Sequence, residues 1–465
     1  MALQPVFQET IAAVATATGA AGVGIVRISG PDAFTVADRL TSGKRAAANQ
    51  PTHTLRRVTI CDPNTQEPLD DALLAVFHGP RSLTGENVVE IQGHGGMVTL
   101  QRVLSACLAG GARAARPGEF TERAFRNGKM DLAQAEAVAA LVSSQTVAAQ
   151  RAALRQVSGE LSDAVNEAAV VLQEALALIE ASIDFPEEIG DADPVQVDAP
   201  LAHAETMVRS LLSTAGYGRR LQEGLTIVLA GRPNVGKSSL LNALSGTQRA
   251  IVTPIPGTTR DIVEEALNLQ GLPVRALDTA GIRDTFDPVE QIGVARAREA
   301  MRSADVVVAV LDAADGTLTA EDVLLLESLA PQPHVVAVNK SDAADPAELI
   351  ESATAVTPDA AIVPVSATTQ EGLSLLSEAI VRTVTGNAAG AGSDAPLVTS
   401  ARHEAALRAA LDALLAARAT LAEGLPLEMI AVDVHGTLQS LGEITGAATR
   451  EEIIAGIFAR FCLGK

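Results

Sequence analysis

The 465-residue chain contains no tryptophan, and aromatic residues make up only 2% of it. Its hydrophobic cores must therefore be built from alanine, valine, leucine and isoleucine, which suits closely packed helices. Only three cysteines are present, Cys61, Cys107 and Cys462, and they fit no metal-ligand spacing. We expect a reduced chain rather than a disulfide-stapled or zinc-binding domain.

The sequence also has few signs of a membrane or nucleic-acid surface. The apolar stretch 11–26 is not preceded by Lys or Arg, as a signal peptide requires, and the run 168–179 is too short to span a bilayer. Against 35 Lys and Arg stand 56 Asp and Glu, which gives a formal charge of −21. We therefore expect a cytoplasmic protein without a membrane partner, which contacts RNA only through a local patch or a partner protein.

What the sequence does contain is a phosphate-binding motif. Residues 231–238 match G-x-x-x-x-G-K-[ST] and follow an apolar run, 225–229, that predicts a buried strand. A strand that leads into a Gly-rich turn and a helix points backbone N–H groups and the positive end of the helix at a polyphosphate. Lys237 is predicted to reach the outer phosphates and Ser238 to bind Mg²⁺.

Three further motifs follow, each after a strand-like run. Residues 278–281 (DTAG) offer a carboxylate to the outer shell of the metal and a backbone N–H to the γ-phosphate. In residues 339–342 (NKSD), Asp342 can accept both donors of guanine, whereas adenine would present it with an unpaired acceptor. With Ser366-Ala367, the four motifs predict a Ras-like GTPase domain.

The residue that activates water is not evident from these motifs. A Ras-like enzyme carries a Gln directly after the metal-loop Gly, whereas this chain has Ile282 there. Charged residues in the segment 282–292 are the alternatives: Arg283, Asp284, Asp287 and Glu290. The segment 253–261 is the predicted switch loop, with a threonine hydroxyl available to Mg²⁺.

The predicted GTP-binding residues come from the motifs and from the switch loop. They are Asn234, Val235, Gly236, Lys237, Ser238, Ser239, Thr253, Thr258, Thr259, Asp278, Thr279, Ala280, Gly281, Asn339, Lys340, Asp342, Ser366 and Ala367.

The chain divides into four predicted segments. Residues 1–126 carry short β-rich runs, 127–222 carry helical periodicity, 223–386 form the GTPase domain, and 387–465 are helical again. The residues Thr449 to Glu452 fit a capping box for the last helix. Because helices stand on both sides of the GTPase unit, we predict a multidomain fold: an N-terminal α+β domain and an all-α domain with a Ras-like α/β P-loop domain inserted in it.

Blocks outside the nucleotide motifs are distinctive. They are residues 24–30 (GIVRISG), 84–96 (TGENVVEIQGHGG), 116–125 (RPGEFTERAF), 129–136 (KMDLAQAE) and 461–465 (FCLGK). Together with the GTPase motifs they resemble the family of the tRNA-modification GTPase MnmE, also called TrmE, over nearly the whole chain. The resemblance implies that the N-terminal domain forms a homodimer and binds a 5-formyl- or 5,10-methylene-tetrahydrofolate as a one-carbon donor.

The resemblance also implies particular ligand sets. The folate contacts would be Arg27, Glu90, Lys129 and Lys465. Cationic groups suit the glutamate carboxylates of a folate, and a carboxylate suits the donor edge of its pterin. A K⁺ ion would replace an arginine finger between paired GTPase domains, and its implied ligands are Asn234, Thr253, Ile255 and Thr258. Thr259 would join Ser238 on Mg²⁺, and Glu290 would be the catalytic residue that orients water.

The resemblance further implies a partner, the FAD-containing flavoprotein MnmG, with which the chain would form a heterotetramer. Such a pair installs a carboxymethylaminomethyl or aminomethyl group at C5 of the wobble uridine of certain tRNAs, while GTP hydrolysis drives K⁺-dependent dimerisation cycles of the GTPase domains. Cys462 is either a nucleophile in this chemistry or a small buried residue near the folate.

Two other functions are compatible with the GTPase motifs. A ribosome-assembly GTPase would act as an RNA-binding switch, and residues 93–96 (GHGG) fit the G-x-x-G of a KH loop, although basic surroundings are missing. A signalling switch would await a GTPase-activating protein. Ile282 supports that interpretation, whereas the implied K⁺ ligands oppose it.

Overall fold

The computed structural model describes residues 8–17, 19–41, 46–189, 193–247, 264–278, 299–386, 396–462 and 464. The chain divides into two compact units. The first unit comprises Met1–Ala139 with Gly442–Lys465, and the second comprises Ala140–Leu441.

The first unit is built on a six-stranded sheet, counted over its described residues. The strands are β1 (Ile11–Val14), β2 (Ala21–Ser29), β3 (Thr54–Cys61), β4 (Pro68–Phe77), β5 (Val88–Gly95) and β6 (Arg113–Ala114). Their order is β3-β4-β5-β2-β1-β6, and β1 runs parallel to β6 while the other neighbours are antiparallel. Val26 and Ile28 of β2 are fully buried, and Arg27 between them belongs to the opposite face of the sheet.

The helices of both units are numbered along the chain. They are α1 (Ala33–Leu40), α2 (Met97–Ala109), α3 (Glu119–Arg126), α4 (Leu132–Ser143), α5 (Val147–Val157), α6 (Glu160–Asp184), α7 (Pro186–Ile189), α8 (Pro194–Glu223), α9 (Lys237–Thr247), α10 (Ala320–Leu329), α11 (Ala347–Val356), α12 (Leu373–Thr385), α13 (Ala401–Ala422), α14 (Leu427–Thr445) and α15 (Glu451–Phe458). Within the described ranges, none of them combines the length and the hydrophobicity needed to cross a bilayer.

Helices α1 and α2 cover one face of the first sheet. Val36 and Leu40 of α1 and Val103 of α2 pack against the buried side chains of β2, β4 and β5. A smaller core joins Leu132 at the start of α4 to Phe458 of α15. On the opposite face of the sheet, Ile11 and Ala13 of β1 form a second core with Phe120 of α3. The strand register places Arg27 and Glu90 on this face beside Ala13.

A buried ion network surrounds α3 in the first unit. The Glu119 side chain is fully buried and accepts hydrogen bonds from Arg113 Nη2 at 2.6 Å, from Arg123 Nη2 at 3.1 Å and from the backbone N–H of Arg116 at 2.8 Å. Burial alone would raise the pKa of Glu119. The hydrogen bonds from Arg113, the Arg116 amide and Arg123 outweigh burial and lower the pKa to about 2, from an ordinary value of 4.5.

This network predicts an acid-sensitive contribution to stability. Because the folded pKa of Glu119 lies below the unfolded pKa, its stabilisation is complete above pH 4.5 and is lost as the pH falls towards 2. Glu119→Gln should destabilise the first unit by about 3 kcal/mol at pH 7 and flatten its acid dependence. The urea dependence of amide hydrogen exchange in α3 gives the free energy of unfolding of this region. Measured at several pH values for the wild type and the variant, it gives both the loss at pH 7 and the acid dependence. The exposed Glu67, 2.9 Å from Arg102, provides the control Glu67→Gln; an equal loss there would refute the assignment.

The second unit contains the predicted nucleotide-binding sheet. Its strands are β7 (Leu225–Ala230), β8 (Glu264–Leu269), β9 (Leu272–Asp278), β10 (Val306–Asp312), β11 (His334–Asn339) and β12 (Ala361–Pro364). Their order is β12-β11-β10-β7-β9-β8, with β8 antiparallel to β9 and the other neighbours parallel. After β7 the chain fills one side of the sheet through β9 and then the other side through β10, so the switch point lies between β7 and β10.

Both faces of this sheet are covered, as a parallel sheet requires. Val308 of β10 packs into a core with Leu240 of α9 and Leu376 of α12, whereas its neighbour Ala309 packs into a second core with Leu326 of α10. Long helices stand before and after the sheet in the chain: α8 packs against both α6 and α13, and Arg418 of α13 lies 2.7 Å from Asp198 of α8. The predicted fold class is therefore confirmed.

Some local predictions differ from the structure. The helical run from 131 is broken at residues 144–146 as well as at Gly159, because Thr146 caps α5 by accepting the N–H of Ala149. The prediction of a capping box at Thr449 is wrong. The last helix begins at Glu451 without a side-chain cap, and the Thr449 hydroxyl donates instead to the carbonyl of Glu443 at 2.9 Å.

Candidate functional site

The phosphate-binding motif forms a tight loop between β7 and α9. Gly231 has φ 151°, Asn234 has φ 65° and Gly236 has φ 94°. A Cβ at Gly231 would lie 2.4 Å from the carbonyl oxygen of Val310, and one at Gly236 would lie 2.3 Å from Nδ2 of Asn339. Both glycines are therefore required by positive φ and by close approach to the ends of β10 and β11.

Lys237 opens α9 and is almost fully buried. Its Nζ donates to the carbonyl oxygens of Gly231 and Arg232, both at 2.8 Å. Val235 is buried in the core below the loop, whereas Ser238 and Ser239 lie on the first turn of α9, where Ser239 is exposed. The loop thus presents two hydroxyl-bearing residues at a helix N-terminus, with an ammonium group held inside the turn.

The base motif is joined to the phosphate loop by direct hydrogen bonds. The side chain of Asn339 is buried, donates to the carbonyl of Val235 at 2.9 Å and accepts the N–H of Ala367 at 3.1 Å. Nζ of Lys340 donates to the carbonyl of Asn234 at 3.1 Å and pairs with Asp312. The structure therefore brings phosphate loop, base loop and second base loop together, as the motif order predicts.

The remaining base residues lie at the same edge of the sheet. Asp342 is exposed just beyond β11, where the backbone N–H of Ser341 donates to the carbonyl of Val365 at 3.2 Å. Ser366 is fully buried, and its hydroxyl accepts the N–H of Thr369 at 3.0 Å. An exposed carboxylate on a fixed turn can accept the two adjacent donors of a guanine.

Several predicted site residues lie outside the described part of the chain. They are Thr253, Ile255, Thr258, Thr259, Thr279, Ala280, Gly281, Glu290 and Lys465. The backbone of Asp278 is described as the last residue of β9. The catalytic residue, the switch loop and most K⁺ ligands therefore stay predictions.

Two of the predicted folate residues meet on the face of the first sheet opposite α1 and α2. Arg27 of β2 stands directly opposite Glu90 of β5, with Nε 2.9 Å from Oε1. Nη1 of Arg27 also donates to the carbonyl of Gly464 at 3.2 Å, and the guanidinium lies 5.6 Å from the ring centroid of Phe120. The second oxygen of Glu90 accepts from Gln92 at 3.3 Å.

The backbone of Gly464 lies beside this pair. Gly464 has φ 88°, and a Cβ there would lie 2.1 Å from the carbonyl of Val14. Cys462 is exposed, whereas Cys61 and Cys107 are buried and burial raises the pKa of Cys107 to about 12. The buried alternative for Cys462 is therefore wrong. Lys129 has another partner, since its Nζ donates to the carbonyl of Pro80 at 3.1 Å.

The segment 93–96, which the sequence also matches to a KH loop, ends β5 and caps α2 at Gly96. His94 is exposed there, and its backbone N–H donates to Oδ2 of Asp70 at 2.8 Å. Its ring Nδ1 lies 2.6 Å from Oδ1 of the same carboxylate, and this hydrogen bond raises the pKa of His94. The segment is thus part of the sheet rather than a separate loop.

Comparison with known proteins identifies the family. A model of the "GTP-binding protein TrmE N-terminus" matches residues 10–129, and one of the "MnmE helical domain" matches residues 132–462. Proteins named tRNA modification GTPase MnmE from Symbiobacterium thermophilum, Chloroflexus aurantiacus and Alkaliphilus oremlandii are 46%, 45% and 44% identical. Each alignment covers 98% of this chain and at least 99% of the relative. The chain belongs to the MnmE family.

A solved structure also resembles part of this MnmE-family chain. The crystal structure of a variant of Aquifex aeolicus Era bound to GDP.AlF4⁻ is 29% identical, and the match covers 41% of this chain and 67% of the Era chain with a TM-score of 0.30.

Sequence reasoning missed carboxylates that contact both nucleotide loops of this MnmE-family chain. Asp312 ends β10 and pairs with Lys340, while Asp315 and Asp322 pair with Arg232, which counted only as a variable position of the motif. The sequence did contain a signal that could have found Asp312. Asp312 ends a strand whose other residues are all apolar, so the segment 312–322 had to begin at the same sheet edge as the phosphate loop.

Proposed function

We propose that this tRNA modification GTPase of the MnmE family acts with an FAD-containing protein of the MnmG type. As a homodimer within a heterotetramer, it would install a carboxymethylaminomethyl or aminomethyl group at C5 of the wobble uridine of certain tRNAs. The observation that carries the proposal is the 44–46% identity to MnmE proteins over 98% of the chain. Since the chain carries a net charge of −21, the partner would supply much of the tRNA contact.

GTP fits the loop between β7 and α9. The positive φ of Gly236 allows the tight turn that a phosphate cradle needs, and Lys237 would reach the β- and γ-phosphates. Asp342 would select guanine, while Asn339 would hold the base loop against the phosphate loop. Ser238 and Thr259 would hold Mg²⁺, which supplies positive charge against the phosphates.

Hydrolysis would depend on a second cation. Asn234, exposed in the phosphate loop, would share K⁺ with Thr253, Ile255 and Thr258 when two GTPase domains pair. Oxygen ligands of this kind suit a hard cation, which would supply the charge that an arginine finger supplies elsewhere. Glu290 would orient the attacking water in place of the missing Gln.

The pair Arg27–Glu90 would bind the folate. A guanidinium and a carboxylate joined at 2.9 Å offer both donors and an acceptor to a pterin or to its glutamate tail. Lys129 and Lys465 would meet the tail carboxylates. The one-carbon donor would be 5-formyl- or 5,10-methylene-tetrahydrofolate, and Cys462, which is exposed near Gly464, would be available to the uridine chemistry.

We assign these roles to segments of the chain. Residues 1–126 would bind folate and form the homodimer, 127–222 and 387–465 would form the helical domain, and 223–386 would form the GTPase domain. The reaction would take place in the cytoplasm.

Reconstitution tests the function. The chain is mixed with its flavoprotein partner, GTP, a tetrahydrofolate donor, glycine or ammonium as the amine donor, and tRNA lacking the modification. Mass spectrometry should then detect modified wobble uridine, and replacing K⁺ by Na⁺ should stop its formation.

The folate site is tested by calorimetry. Arg27→Ala should weaken the binding of 5-formyl-tetrahydrofolate by about 100-fold, because a charge-assisted pair is removed. The control Arg102→Ala removes a surface pair of the same unit and should bind normally. GTP hydrolysis without folate binding or tRNA modification would favour the ribosome-assembly alternative.

A further inference from the structure

The side chain of Arg232 joins the phosphate loop to the segment after β10. Its Nε lies 3.0 Å from Oδ1 of Asp322, and its Nη2 pairs with Asp315. Arg232 is mostly buried, with 23% of its side chain exposed, and Asp322 is 1% exposed. Because Asp322 is buried, its ion pair with Arg232 is screened less than a fully exposed surface pair.

Asp322 is itself held rigidly. It is the third residue of α10, and its Oδ2 accepts the backbone N–H of Thr319 at 3.2 Å and the Thr319 hydroxyl at 2.7 Å. Thr319 in turn accepts the N–H of Asp322 at 3.3 Å, which completes a capping box. The carboxylate that receives Arg232 is therefore fixed to the start of a helix that packs on β10.

Arg232 also contacts the phosphate-binding lysine through its backbone. Its carbonyl oxygen accepts Nζ of Lys237 at 2.8 Å. Arg232 thus binds α10 through its side chain and the ammonium group of Lys237 through its carbonyl oxygen. We propose that Arg232 is a positioning residue, whose pairing with Asp322 and Asp315 orients the phosphate loop so that Lys237 is held ready for the outer phosphates. The inference rests on the assignment of GTP to this loop.

The charges argue against direct contact of Arg232 with phosphate. Two carboxylates face one guanidinium, so the cluster carries no spare positive charge for a ligand. The geometry needs arginine rather than lysine, because a planar fork reaches two acceptors at once and a point charge does not. Lys237 has the opposite requirement, since a compact ammonium must fit between two carbonyl oxygens.

The test compares Arg232→Ala and Arg232→Lys with two controls. Ser328→Gly weakens α10 at an exposed position and leaves Arg232, both carboxylates and the capping box in place. Arg209→Ala removes an exposed pair with Glu205 on α8. Affinities for fluorescent GTP and GDP, together with kcat and KM for GTP, are measured on the full chain.

We expect Arg232→Ala to weaken GTP by about tenfold and GDP by no more than that, because Lys237 would meet the β-phosphate of both nucleotides and the γ-phosphate of GTP alone. KM should rise while kcat stays close to that of the wild type. A merely destabilised fold would instead lower kcat through loss of active protein and leave KM unchanged. Arg232→Lys should lose less nucleotide affinity than Arg232→Ala. The double variant Arg232→Ala with Asp322→Asn should have the same nucleotide affinity as Arg232→Ala alone, because the pair is already broken.

Several results would overturn the inference. Unchanged nucleotide affinity in both Arg232 variants would refute it, and so would an equal loss in Ser328→Gly, which would trace the effect to the stability of α10. A wild-type chain that binds neither nucleotide would refute the GTP assignment together with this inference. Tight wild-type binding with unaffected variants would refute the inference alone.

Discussion

Gly236→Ala is expected to weaken GTP binding by about 100-fold or more while leaving the chain folded. A Cβ at this position would lie 2.3 Å from Nδ2 of Asn339. Asn339 cannot simply move, because its two amide atoms hold the carbonyl of Val235 and the N–H of Ala367. In addition, φ of 94° is a conformation that an alanine rarely adopts. The methyl group would therefore separate the phosphate loop from the base loop.

The helix that follows the phosphate loop provides a matched control. Gly246 lies in α9, and a Cβ there would meet nothing within 4 Å. Gly246→Ala should bind GTP normally and stabilise the helix by up to about 1 kcal/mol, since alanine is the better helix former. Fluorescent-nucleotide titration measures the affinity of both variants, and circular dichroism checks that they are folded. Wild-type GTP affinity in Gly236→Ala would contradict the prediction. It would mean that the Asn339 side chain can move aside without loss of affinity and that the phosphate loop does not depend on the base loop.

The contrast between these glycines shows what sequence can and cannot predict. The motif predicts a strand, a turn and a helix around Gly236, and the structure has β7, the loop and α9 there. It cannot predict that Asn339 fills the space beside Gly236, because the two residues are far apart in the chain and meet only when β7, β10 and β11 align. The alignment depends on register, which sequence periodicity leaves open.

The ion pairs also depend on strand register and on contacts between distant parts of the chain, which the sequence does not reveal. The alternation of β2 predicts that Arg27 leaves the core, and the register of β2 against β5 then decides that it meets Glu90. Likewise, Arg232 occupies a variable position of its motif, and only the fold places Asp322 beside it. Local rules also fail where a partner competes. The hydroxyl of Thr449 fits a capping box by spacing, yet it bonds to Glu443 at the end of the preceding helix.

Asp342→Asn should change the base that the chain accepts. The carboxylate can accept both N1–H and the 2-amino group of guanine, whereas an amide offers one acceptor and one donor. The amide donor would face a guanine donor, so GTP affinity should fall by about 100-fold or more, as expected when a site loses a hydrogen bond and gains an unpaired polar group. Xanthine carries N1–H beside a carbonyl oxygen at C2. Xanthosine triphosphate should therefore bind the variant better than GTP does.

A change of preference from GTP to xanthosine triphosphate distinguishes a role of Asp342 in base recognition from a role in folding stability. Asp345→Asn makes the same chemical change at an exposed residue three positions later, where Oδ1 accepts the N–H of Ala347, and it should leave the preference for GTP unchanged. Competition between GTP and xanthosine triphosphate for the hydrolysis site measures the preference of both variants. A damaged fold would weaken both nucleotides together. Only a residue that meets the base edge can lose one nucleotide and gain the other, so a parallel loss of both would remove Asp342 from the base site.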